Sequence, residues 1–499
     1  MNRGLRVGGA AGQALAALAG ALALAPAAAA VAAALVLEPC RLPGVEREAR
    51  CGTLARPLDP ARPEGRQIAL QVAVLPALAR QPRADPVFFV PGGPGQGAIP
   101  LAGQVRHLLA PLNRQRDLVL VDPRGTGASA PLDCGPAPDA LAGVDAQVAH
   151  LLACRDALAR APLLDGVDDL RHFNTAAKAA DLDAVRRALG APQVNIVAVS
   201  YGTRVALELM RQQPGAVRRA VLDGVVPPDM GLPRAFALDA QAALDALFDA
   251  CARDAACAGR HPRLAARWAQ ALARLPASVV LPDPLSGAAV EARITRETAL
   301  GALRLALYSP LLGAALPWAI DEAALGRWGA LLGLARALAE GPGQPRLAAG
   351  AHFSVICSED MAGVVAPAVA RSPFDALAVV YDRVCADWPR AALPAGFTTI
   401  APARAPVLLL SGGIDPVTPP RHAERVQAAL GRLARHAVVP QAGHGVLALP
   451  CIREAVAHFV AARDSETALA VDADCARAVP RPPAWAPPAP AAGLPAGSR

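Results

Sequence analysis

Val194-Asn195-Ile196-Val197-Ala198-Val199-Ser200-Tyr201-Gly202-Thr203 decides how this chain is read. A β-branched run leads up to Ser200, and Arg204-Val205-Ala206-Leu207-Glu208-Leu209-Met210 behind it has the spacing of a helix. A serine at a sharp strand-to-helix turn is lifted above the sheet, which is the geometry of a nucleophile elbow. The two backbones nearly touch there, so the residues two before and two after the serine must be small. Gly202 meets that need fully, and Ala198 meets it with one methyl group where the pattern usually has glycine. Alone the match is weak, because A-x-S-x-G arises by chance in a chain rich in alanine and glycine.

Working outward, short continuous apolar runs recur at Pro86–Val90, Asp117–Asp122, Ala220–Leu222, Val407–Leu410 and His436–Val439, while Gln67–Leu75 alternates. Runs of this kind are strands buried on both faces, and helical stretches such as Ala176–Leu189 lie between them. Strand and helix in alternation give a mostly parallel α/β sheet flanked by helices. From about Asp229 to Pro394 the pattern turns helical, which predicts a cap inserted before the strand at Val407. The expected organisation is a signal peptide over 1–30, a core over 31–228, a helical cap over 229–394, a second core part over 395–478 and a disordered Pro/Ala-rich tail over 479–499.

The formal net charge of +7 is carried almost wholly by arginine, spread thinly, with Lys178 as the single lysine. No basic cluster is interleaved with aromatics, so nucleic acid is not an expected partner. Arg3 and Arg6 precede an Ala/Leu run from Ala14 to Ala25, and Pro26 with Ala27–Ala30 supplies small residues for cleavage near Ala28 or Ala30. The rival reading is an uncleaved anchor reaching to Leu37, although alanine drives insertion weakly and Pro26 breaks the run. A periplasmic or secreted protein with no stable membrane association after cleavage is expected.

Ten cysteines fall into neighbouring pairs, Cys40 with Cys51, Cys134 with Cys154, Cys251 with Cys257, Cys357 with Cys385 and Cys451 with Cys475. Their even number and clustering fit disulfides in an oxidising compartment, although sequence alone leaves the connectivity open. No C-x-x-C pair exists and the histidines lie elsewhere, so a zinc site is not expected.

A serine needs a base to take its proton, and the base needs an acid to fix its tautomer. In the α/β-hydrolase order both follow the serine. Asp415, in Ser411-Gly412-Gly413-Ile414-Asp415-Pro416-Val417-Thr418, and His444, in Gly443-His444-Gly445, each lie just beyond a strand, on the sheet edge where Ser200 emerges. Asp223 is the fallback acid, and His422 and His436 are weaker candidates for the base. The oxyanion is expected to meet the N–H groups of Tyr201 and Gly93 (or Gly92), the latter in the turn Pro91-Gly92-Gly93-Pro94-Gly95. That turn lacks the patterns of a phosphate loop. Arg124, in Asp122-Pro123-Arg124-Gly125-Thr126-Gly127, is expected to tie loops together.

GGPG, DPRGTG, SYGT, LDGV, GGIDPVTPP and GHG occur in this order, and together they resemble the prolyl and tripeptidyl aminopeptidase family of α/β-hydrolases, most closely its secreted tripeptidyl branch. The resemblance covers nearly the whole mature chain. Pro91 stands where many relatives have histidine, and Ala198 replaces the first elbow glycine. The resemblance implies a serine hydrolase that needs no cofactor and acts on short peptides with a free N-terminus. It further implies that acidic side chains bind the substrate amino group, here Glu359 and then Asp360, in a segment held by a Cys357–Cys385 bridge. The residues alone also permit a helix-start acidic pair at 359–360. A carboxylesterase or lipase-like hydrolase and a non-catalytic binding protein on the same fold are the alternatives, since fold does not fix substrate. Whether one residue or a tripeptide would leave is not written in the motifs.

Overall fold

In the computed structural model, residues 35–138, 140–282, 287–339, 346–361 and 372–487 are described. The expected signal peptide and the end of the expected tail lie outside them. Nine strands form one sheet: β1 (Glu38–Cys40), β2 (Ala49–Pro57), β3 (Gln67–Leu75), β4 (Val87–Val90), β5 (Leu118–Val121), β6 (Val194–Val199), β7 (Val217–Asp223), β10 (Val407–Gly412) and β11 (Ala434–Val439). Between β7 and β10 the pair β8 (Ala277–Pro282) and β9 (Ala289–Ile294) makes a separate hairpin. The order in the large sheet is β1-β2-β3-β5-β4-β6-β7-β10-β11. From β5 to β11 every pairing is parallel, while β1, β2 and β3 close one side antiparallel.

The period-2 geometry of a strand sends successive side chains to opposite faces. Here both faces are buried, which is why these strands read as unbroken apolar runs. Phe88, Val90, Ile196, Leu222 and Leu409 enter one core cluster, and Val87, Phe89, Val197, Val221 and Leu408 enter the other. Ala198 is fully buried in the first cluster, paired in register with Val90 and Leu222. β2, with its arginines and Gly52, carries no clean alternation, and the sequence reading did not name it. The hairpin β8–β9 was likewise not named, since its exposed valines Val280 and Val290 look outward from a helical region.

The helices that position the site are α1 (Gly143–Ala159), α2 (Thr175–Ala188), α3 (Tyr201–Gln212), α4 (Arg234–Arg253), α5 (Arg296–Leu307), α6 (Gly329–Ala339), α7 (Ala349–Glu359), α8 (Val379–Asp387) and α9 (Pro420–Leu430). α4, α5 and α6 share a third hydrophobic cluster built on Leu244, Leu300, Leu303, Ile320 and Trp328. Not all of the segment between β7 and β10 belongs to it. Phe353, Val355, Ile356 and Cys385 join the cluster of the sheet instead, so α7 and α8 bridge the two.

The cysteines are joined as the five neighbouring pairs. Cys357–Cys385 ties α7 to α8 across a separation of 28 residues, a loop whose closure entropy is worth about 3.5 kcal/mol. The tail departs from expectation through Pro487. Trp485 donates its backbone N–H to Ala314 O at 2.8 Å, and its ring meets Trp318 edge-on with centroids 5.0 Å apart. One large aromatic outweighs the surrounding prolines and pins that stretch to the helices below.

Candidate active site

β6 is followed at once by Ser200, whose backbone has φ 55° and ψ −127°. A non-glycine residue held there carries about 1–3 kcal/mol of strain, tolerated only where the surroundings over-determine it. They do so here. Ser200 N–H donates to Asp223 O at 2.8 Å, and Ser200 O accepts from Thr203 N–H at 2.9 Å and from Thr203 Oγ1 at 2.6 Å. A Cβ on Gly202 would collide with the carbonyl oxygens of Val90 and Pro91, the second at 2.6 Å, so glycine is required at that position. A Cβ on Gly92 would come 3.0 Å from the Ser200 Cβ, so the glycine turn lies directly over Ser200. As the first residue of α3, Tyr201 has no intrahelical partner for its N–H, and Gly93 has φ 108° in the turn above.

Two further loops converge on this edge. Asp415 follows β10 and is 1% exposed. Its Oδ1 accepts from Val417 N–H at 2.8 Å and Thr418 N–H at 2.9 Å, while its Oδ2 accepts from Thr418 Oγ1 at 2.8 Å and lies 2.8 Å from His444 Nδ1. Burial alone would raise the Asp415 pKa, but the charge and hydrogen bond of His444, with the Thr418 donors, hold it below the ordinary carboxylate value. Burial alone would lower His444, and Asp415 overcomes it, so the imidazole ionises above its ordinary value. With Nδ1 engaged by Asp415, Nε2 is the nitrogen left for a serine proton. Such a constellation can carry acyl transfer: a strained serine, an imidazole with its tautomer fixed, and backbone N–H donors above the turn.

Tyr308, just beyond α5, was not foreseen. Its carbonyl accepts from His444 N–H at 3.0 Å, and its ring stands edge-on to the imidazole with centroids 5.2 Å apart. Nothing in the sequence marks it, because the key contact is made by backbone. Thr418 lies inside a quoted motif and could have been found there.

Asp223, the fallback acid, has a different post. Its carboxylate accepts from Val446 N–H at 2.9 Å and Leu447 N–H at 2.8 Å, in the loop right after His444. Its carbonyl meanwhile holds Ser200, so this one residue ties the Ser200 and His444 loops together. Replacing it with alanine is expected to cost about 1–3 kcal/mol and to lower kcat more than it changes KM, read from thermal melts and steady-state kinetics. His422 lies on α9 and pairs with Asp239 at 3.0 Å, and His436 reaches Ser411 Oγ at 3.0 Å within the sheet. Neither joins the site. Arg124 is buried and binds both oxygens of Asp181 at 2.7 and 2.8 Å and the Leu58 carbonyl at 2.9 Å, which ties the loops as expected.

Glu359 and Asp360 sit at the C-terminal end of α7, not at a helix start. Two carboxylates there oppose the helix dipole, and the buried Arg204 guanidinium compensates, 2.9 Å from Asp360 Oδ1 and 3.4 Å from Glu359 Oε2. Glu359 also accepts from Thr175 N–H at 2.6 Å and Thr175 Oγ1 at 2.7 Å, so both its oxygens are spent inside the protein. Thr175 Oγ1 lies 2.6 Å from the Tyr201 hydroxyl, and the Lys178 ammonium stands 5.2 Å over the Tyr201 ring. Asp360 Oδ2 is buried and makes no hydrogen bond of ordinary geometry among the described residues, although the Leu232 N–H lies near the carboxyl, and burial raises that carboxyl to about 7.

A family model described as the alpha/beta hydrolase fold matches residues 85–449. The chain belongs to the α/β-hydrolase family. It is similar to the serine protease Hip1 of Mycobacterium tuberculosis, with 30% identity over 407 residues that cover 74% of this chain and 77% of that one. Similarity to the tripeptidyl aminopeptidase of Streptomyces lividans is 32% over 191 residues, 36% of either chain. Carboxylesterase B of Mycobacterium tuberculosis is 33% identical over 234 residues, covering 42% of this chain and 43% of that one.

Proposed function

We propose that this α/β-hydrolase is an exported serine peptidase that removes residues from the free N-terminus of short peptides. The observation that carries the reading is the His444–Asp415 pair at 2.8 Å, set on the same sheet edge as the strained Ser200. Ser200 Oγ attacks the acyl carbon as its proton passes to His444 Nε2. The oxyanion so formed accepts from Gly93 and Tyr201 N–H groups. His444 then gives the proton to the leaving amine, the C–N bond breaks, and water, activated by the same histidine, cleaves the acyl-enzyme. Asp415 orients the imidazole throughout. Five disulfides support a place outside the reducing cytoplasm. Among the described residues no helix is long and apolar enough to cross a membrane.

Selection for a free amino end requires a desolvated acceptor. Of the two acids behind Tyr201, Glu359 braces Thr175 while Asp360 Oδ2 makes no hydrogen bond of ordinary geometry, which favours Asp360 as the acceptor, with Glu359 the other candidate. Peptide anilides with free and N-acetylated ends test this. Acetylation is expected to lower kcat/KM about tenfold or more, and Asp360→Asn to erase most of that difference. Equal cleavage of blocked and free peptides would remove the aminopeptidase reading. The relative named carboxylesterase B keeps ester hydrolysis as the second reading, and short-chain aryl esters outrunning every peptide would favour it.

A further inference from the structure

A cavity of about 400 Å³ opens among α1, α5, α6 and α8, within the range of about 300–1,000 Å³ usual for small-molecule sites. Its walls are mainly apolar, with Val144, Leu305, Leu332, Ala335, Phe353 and Leu377 among them. Two polar side chains of its lining lead to the reacting groups. Arg304 donates to the Tyr308 hydroxyl at 3.1 Å and lies 5.6 Å from the centroid of that ring, which in turn stands 5.2 Å from the His444 ring. Tyr381 meets His352 Nε2 at 3.2 Å, and His352 Nδ1 lies 3.0 Å from the carbonyl of Pro94, in the oxyanion turn. The cavity is therefore one side chain removed from the base on one flank and from the oxyanion turn on the other. Arg304 Nε is buried there without a hydrogen-bond partner.

We infer that this cavity receives an apolar side chain of the residues on the amino-terminal side of the scissile bond, a role that rests on the peptidase reading above. A peptide held at Ser200 would enter past Tyr308 or Tyr381, the side chains that join this lining to His444 and to the His352–Pro94 contact. Burying a leucine or phenylalanine side chain there rather than leaving it in water releases about 1.5–3 kcal/mol, roughly a ten- to hundredfold gain, of which an alanine methyl would recover only a part. Arg304, which belongs to the lining and bonds Tyr308, would meet a backbone carbonyl of the same segment and so satisfy its orphaned Nε side.

Gly301 offers the direct test. It lines the cavity on α5, and a Cβ there would find its nearest neighbour, Leu377 Cδ2, at an ordinary 3.8 Å, so a larger side chain fits and projects into the space. Gly301→Leu, and Ala335→Phe on the neighbouring helix α6, fill the cavity independently. For leucyl against alanyl peptide anilides, either variant is expected to reduce the ratio of kcat/KM values at least tenfold. Titration of Leu-Leu-Leu-amide into the Ser200→Ala protein reads the same pocket without turnover. Its Kd is expected to rise at least tenfold when Gly301→Leu is added, while the Kd of Ala-Ala-Ala-amide changes less. Unchanged ratios and unchanged Kd values in variants that melt like the parent would overturn the assignment. If esters prove the only substrates while leucyl amide binding still responds to Gly301→Leu, the peptidase reading fails and the pocket stands.

Discussion

Ser200→Ala is expected to lower kcat by about 10⁵-fold or more on every substrate the enzyme accepts, with the melting temperature nearly unchanged. The size of the effect follows from what the residue does. In the proposed mechanism it supplies the atom that forms the covalent bond, directly beneath Gly92, whose added Cβ would come 3.0 Å from the Ser200 Cβ. The near-neutral stability follows from backbone. Alanine keeps the Cβ, and the hydrogen bonds that hold the strained φ of 55° are made by main-chain atoms and Thr203, not by the serine hydroxyl. A binding protein on this fold would show no such loss, since it would have no turnover to lose. Residual activity above background would come from oxyanion stabilisation and substrate positioning alone.

Asp415→Asn is expected to lower kcat by about 10³–10⁴-fold, for a reason that the hydrogen bonds spell out. Oδ1 accepts two backbone N–H groups, from Val417 and Thr418, so an asparagine is driven to put its one carbonyl oxygen there. Its NH₂ group then faces His444 Nδ1. That forces the neutral imidazole to carry its proton on Nε2, where it cannot accept one from Ser200. The pH dependence gives a second handle. In the native enzyme Asp415 raises the His444 pKa above its ordinary value, and the base is active only when neutral. Activity is therefore expected to fall as pH drops through a value above about 6.5. In Asp415→Asn the main raising partner is gone while burial and the weaker pull of Asp223 remain, so the acid limb of the residual activity is expected to move to lower pH. A pH–rate profile of both proteins checks the direction.

Much of this site was legible in the chain because its parts are local. An elbow needs a β-branched strand, a serine and Gly202 within ten residues, and the acid and base each follow an apolar strand by a few positions. The parallel sheet was legible for the same reason: strands buried on both faces cannot hide their composition. Ala198, whose methyl group crowded the elbow on paper, lies in an ordinary strand pairing and buries that methyl in the core, so the glycine usual at this position is not a steric necessity here. What stayed illegible depends on long-range partners. Tyr308 acts through a carbonyl that any residue could offer. Glu359 and Asp360 look like free acids in sequence, and only Arg204, 155 and 156 positions away, shows how far they are neutralised. Trp485 sits among prolines that read as tail, yet its ring finds Trp318.

The central claim is that Ser200 is the nucleophile of a working triad, and labelling by a fluorophosphonate tests it most directly. The account predicts one stoichiometric adduct, mapped by mass spectrometry to the peptide carrying Ser200, with hydrolysis lost in proportion. It further predicts slow labelling at low pH, where His444 is protonated, and very little in Asp415→Asn. A folded protein that hydrolyses substrate while its adduct lies on another residue, or that still turns over substrate as Ser200→Ala, would contradict it.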